Sequence, residues 1–106
     1  METMKLPDDF IHYLQSDAPH CGELPDFPSY FEIWPEEEME QWNKEYQVGE
    51  YAPGFFGFAT NGGGEMYAFG PDGGIYALPF IGMEPKVAKR LAASWTEFEK
   101  KILKDD

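Results

Sequence analysis

The chain has 106 residues, 42% of them hydrophobic and 17% aromatic, with a single cysteine. That is enough material for one core spanning residues 1–106 but not for two. It excludes intrinsic disorder and an internal disulfide framework, and fits a reducing, cytoplasmic compartment. The formal net charge is −12, with 13 acids and 2 bases in residues 1–50 against 7 and 6 in residues 51–106, which excludes ordinary nucleic-acid or anionic-membrane binding and favours a basic protein as partner.

From the first residue onward, no apolar run precedes Leu6, so no secretory signal is expected. Pro7, Asp8 and Asp9 open a helix: proline suits a first turn, and acids complement its positive end. Phe10, Ile11 and Leu14 continue it at helical spacing to about Ser16. Residues 17–28, crowded with proline, glycine and aspartate, read as an ordered loop. Residues 29–34 alternate as a strand, with Phe31 and Ile33 on one side and Tyr30, Glu32 and Trp34 on the other. Pro35 and the three glutamates after it start a second helix with the same signature. Met39, Trp42 and Tyr46 mark its buried stripe, and its acids occupy the solvated faces.

Three aromatic-rich runs follow, at residues 55–59, 65–69 and 75–78. The spacers between them hold Asn-Gly and Asp-Gly signals for turns with positive φ, at Asn61 to Gly64 and Asp72 to Gly74. A three-stranded antiparallel meander is expected. The most apolar stretch, residues 76–83, is too short and broken to span a bilayer. Residues 84–93 fit either a short helix or a last edge strand. Ser94 and Glu97 fit a capping box before a helix that turns Trp95, Phe98 and Ile102 inward. Trp34, Tyr51 and Phe80 fit core or interface positions, and the oligomeric state stays open between monomer and weak dimer.

The residues that could carry chemistry do not assemble. Cys21 lies beside His20, but adjacent side chains rarely face one another, and His12 sits on another element. One cysteine and two histidines fall short of a zinc set without carboxylates. Gly64 is followed by Glu65 and a strand, not by the lysine and helix of a phosphate loop. The acid run stands on a solvated helix, a poor place to raise a pKa for acid–base work. No enzymatic activity, metal or cofactor is expected. What remains is an acidic surface: Glu36, Glu37, Glu38, Glu40 and Glu45 on the second helix, with Glu50 beyond it, form a candidate partner-binding face. The competing reading is that these acids only keep the protein soluble.

The order of segments resembles the SUKH superfamily, which includes the Smi/Knr yeast cell-wall regulators and many bacterial immunity proteins. The carrying residues are Leu6, Pro7, Asp8, Asp9, Phe10, Tyr13 and Leu14; then Ile33, Trp34, Pro35, Glu36, Glu37 and Asn43. The stretch from Tyr51 through Pro53, Gly54 and Phe55 to Gly64 and Glu65 follows, with Tyr67, Phe69 and Tyr76 in its hairpin. Ala93, Ser94, Trp95 and Phe98 close the match. The resemblance implies an α+β fold, a curved and mostly antiparallel sheet with N-terminal, middle and C-terminal helices packed against it. It also implies a non-enzymatic role: binding a cognate toxin, often a nuclease or deaminase, or, as the yeast members suggest, regulatory scaffolding of host proteins.

Overall fold

In a computed structural model, residues 6–25 and 29–102 are described; Met1 to Lys5 and the end of the predicted loop at residues 26–28 lie outside them. Pro7 leads into α1 (Asp8–Gln15), whose first turn carries Asp8 and Asp9. Phe10 and Tyr13 are buried, and Leu14 packs against the same core.

The predicted loop after α1 is corrected in part. Cys21–Glu23 form a short strand, β1, paired antiparallel with β2 (Tyr30–Ile33). Its composition is that of a loop, and the hydrogen bonds that make it a strand come from β2, the next strand in the chain, whose pairing outweighs local propensity. β2 itself alternates as its sequence indicates, Phe31 and Ile33 buried, Tyr30 and Glu32 exposed.

Pro35 precedes α2 (Glu36–Glu45), with Glu36, Glu37 and Glu38 in its first turn. Here the expected buried stripe is corrected. Met39 is buried, but Trp42 is only half-buried and Tyr46 is 38% exposed. The chain turns at Gln47, whose φ is 55°, into a single helical turn, α3 (Val48–Tyr51), and the residues buried beyond it are Val48 and Ala52. Asn43 fastens α2 to the sheet: its Nδ2 donates to the carbonyls of Met39 and Gly57 at 2.7 and 2.8 Å, and its Oδ1 accepts from Gly57 N at 2.7 Å.

The meander follows the sequence reading: β3 (Phe56–Thr60), β4 (Glu65–Phe69) and β5 (Ile75–Pro79) pair antiparallel in turn. A register shift between Gly57 and Ala59 bulges β3 where Asn43 grips it. In the turns, Gly62, Gly64 and Gly73 hold positive φ. Asn61 Oδ1 accepts from the Gly63 and Glu65 amides, and Asp72 Oδ1 from the Gly74 amide. Residues 84–93 take both expected forms in succession, a 3-10 turn at Pro85–Val87 and then the edge strand β6 (Lys89–Ala92). Ser94 Oγ accepts from Glu97 N at 3.3 Å to open α4 (Trp95–Glu99). Asp9 adds a second cap from α1, its Oδ2 accepting from Thr96 N and Oγ1 at 2.9 and 2.8 Å. Trp95, Phe98 and Ile102 are buried as expected.

Among the described residues, six strands run antiparallel in chain order, the curved α+β sheet that the resemblance implies. One core joins α1 and α4 to the sheet through Phe10, Phe58, Tyr67, Phe69 and Trp95. Alternate residues of β4 serve a second, smaller core with α3: Met66 and Ala68 meet Val48, Ala52, Leu78 and Met83. The Tyr67 hydroxyl donates to the Tyr30 carbonyl at 2.6 Å, and burial raises its pKa well above the ordinary phenol value.

Candidate partner-binding surface

The six glutamates singled out from sequence are all exposed, five on α2 and Glu50 on α3. At about 100° per residue, Met39, Trp42 and Tyr46 share one stripe of the α2 segment. Glu38 and Glu45 border that stripe on the Trp42 side, Glu36 and Glu40 flank Met39 on the other, and Glu37 lies farther round. The border is a physical contact at Glu38, whose Oε1 accepts from Trp42 Nε1 at 3.2 Å.

The stripe meets aromatics from elsewhere in the chain. Trp34, one residue past β2, lies 5.8 Å from Trp42 and 6.3 Å from Tyr46 between ring centroids, and Trp42 lies 5.9 Å from Tyr46. The planes differ by 32°, 13° and 22° respectively. A column of stacked rings would set its outer members about twice as far apart as neighbours; these three are mutually close and nearly parallel, so they lie staggered like tiles. Phe80, the residue after β5, extends them at 4.4 Å from Tyr46. Trp34, Trp42 and Phe80 are half-buried. Beside them Ile81 is 92% exposed, and Tyr51, one of the three aromatics that fitted core or interface, is 49% exposed. Sequence reasoning found the acids and marked Trp34 and Phe80 as core or interface positions, but it assigned Trp42 and Tyr46 to a buried stripe and missed their gathering. Phe80 reaches Tyr46 only through the fold of the sheet.

Elsewhere the polar groups serve the fold. Cys21 is exposed on an edge strand, and its side-chain hydrogen bond to Tyr30 is the main cause of that phenol's raised pKa. A phenol so raised is no base for a thiol at neutral pH. His12 and His20 are both exposed. Asp72 is held below the ordinary carboxylate range first by the Gly74 amide, then by the Tyr76 hydroxyl, with Arg90 3.3 Å away. Among the described residues, no group of three or more His, Cys, Asp or Glu is placed to hold a metal ion, and no helix is long and apolar enough to cross a membrane.

Comparison with known families places the chain. The family model of the SMI1/KNR4 family (SUKH-1) matches residues 3–101, and the chain belongs to that family. No curated protein matches it in sequence.

Proposed function

We propose that this SMI1/KNR4-family chain is a non-enzymatic bacterial immunity protein that binds a cognate toxin one to one in the cytoplasm. Family membership supports a protein-binding role in general. The observation that carries the finer reading is the exposed acidic side of α2, held firmly to the sheet by Asn43. Glu36, Glu37, Glu38, Glu40, Glu45 and Glu50 form part of the contact. Such a surface is complementary to the basic, nucleic-acid-binding groove of a nuclease-type toxin, and it speeds encounter by electrostatic steering.

The test is co-expression with the C-terminal domain of the neighbouring reading frame, scored by survival and copurification, then titration against the active toxin. Inhibition should saturate near one protein per toxin, and mass spectrometry should find the toxin unaltered after dissociation. Cys21→Ala, His12→Ala and His20→Ala should protect as the parent does. Sub-stoichiometric protection or a covalent change in the toxin would overturn the non-enzymatic reading. An isolated locus with no toxic neighbour would favour the regulatory role that the yeast relatives suggest.

A further inference from the structure

Aromatic rings on protein surfaces are normally scattered. Here Trp34, Trp42 and Tyr46 gather nearly parallel, with Phe80 from the far end of β5 tilted against Tyr46, and all four are half-buried or exposed. We propose that this ring cluster is a guanidinium-stacking platform that receives arginine side chains of a basic protein partner. The proposal rests on the reading of α2 as the docking face and names the chemistry by which that face recognises its partner.

Ring geometry and charge together select the occupant. An aromatic face carries negative potential, so a ring left partly open attracts a cation more specifically than it attracts another apolar group. Trp34, Trp42 and Phe80 are half-buried and Tyr46 is 38% exposed, so part of each ring remains open to a cation. The rim adds full charges: Glu38 is hydrogen-bonded to the Trp42 indole, and Glu45 precedes Tyr46. A purely apolar partner would have to strip water from these carboxylates without compensating them, whereas an arginine stacks on a ring and pairs with a carboxylate at once. Arginine fits better than lysine because its guanidinium is planar and weakly hydrated. Two of the chain's own bases are engaged away from α2, Lys86 with Glu84 and Arg90 with Asp72. Ile81, beside Phe80, offers apolar surface for the methylene stem of an incoming side chain.

The test uses the full chain with oligoarginine and oligolysine peptides of equal length at physiological salt, read by tryptophan fluorescence and by the NMR signals of the indole N–H groups. The arginine peptide should bind about five-fold or more tighter than the lysine peptide, shifting the Trp42 indole signal. A Tyr46→Ala/Phe80→Ala variant should lose that preference while still binding the lysine peptide with unchanged salt dependence. Tyr46→Leu, which keeps apolar bulk without a ring, should weaken the preference in a folded protein. Equal affinity for the two peptides, no binding of either, or a preference that survives in the double variant would overturn the proposal. Reversal of Glu36, Glu37 and Glu40, which stand away from the ring rim, to lysine separates the two readings. If it leaves both peptides' affinities unchanged, α2 is not the electrostatic docking face, yet an arginine preference that depends on Tyr46 and Phe80 would still stand.

Discussion

On the sheet face covered by α1 and α4, Phe10 crosses Phe58, Phe69 and Trp95 at interplanar angles of 62°, 65° and 64°, and each of the four residues is at most 1% exposed. Beside α2, Trp34, Trp42 and Tyr46 lie within 32° of parallel and stay partly open to solvent. Ring angle alone does not make the difference, for Phe58 and Phe69 stack at 26° within the same dense face. That face is closed by α1 and α4 packed over it, whereas the rings beside α2 are only partly covered. The difference separates a surface that holds the fold from one available to a partner, although both are built from the same residue types. The dense face is so apolar that the buried Trp95 indole N–H finds no hydrogen-bond acceptor among the described residues.

The largest effect should fall on the dense face. Phe10→Ala empties a fully buried site against three other rings and should cost about 3–5 kcal/mol in denaturant unfolding; a loss below about 1 kcal/mol would mean that this face does not hold the fold. Next comes the joint between sheet and α2. Asn43→Ala removes three hydrogen bonds and leaves the Gly57 amide and carbonyl without that partner, at about 2 kcal/mol. Gly57→Ala should cost about 1–3 kcal/mol in the same assay, because an added Cβ would stand 2.3 Å from the sulfur of the fully buried Met66. A stable Asn43→Ala protein with unaltered α2 amide signals would break the claim that the acidic helix is rigidly presented.

A smaller loss tests the turns. Gly73, with φ of 83° and open space around its Cα, should lose more than about 1 kcal/mol on change to Val, from backbone strain alone. Tolerance of Val at Gly62, Gly64 and Gly73 alike would contradict the turn conformations. The smallest effect is electrostatic. Asp72, whose carboxyl is held below its ordinary 3.8, stabilises the turn at pH values above that figure, and the contribution is lost as pH falls through the lower folded value. Asp72→Asn should flatten that part of the stability–pH profile measured by thermal unfolding, leaving neutral-pH structure intact.

The meander was legible because its signals are local: alternating aromatics between glycine turns define β3, β4 and β5 without reference to anything else. Proline followed by acids placed α1 and α2 for the same reason. What escaped the sequence depends on partners outside the segment itself. β1 exists through its pairing with β2, and Asp9 serves α4 from the other end of the chain. Helical periodicity placed Tyr46 in the core with Met39, but the chain turns at Gln47, and the residues buried beyond it are Val48 and Ala52, in the second core. The acids of the candidate surface were readable as a charge run, whereas the rings beside them converge only once β2 and β5 have delivered Trp34 and Phe80.

The claim that α2 presents a surface for a basic partner is tested most directly by association kinetics with the toxin domain recovered through co-expression. The parent should be compared with the Glu37, Glu40 and Glu45 to lysine variant across a salt series. Exposed charges contribute little to stability, so the variant should remain folded, and its association rate should fall about ten-fold or more at low salt and approach the parent's as salt rises. An unchanged rate at every salt concentration would show that the acidic side of α2 only meets water.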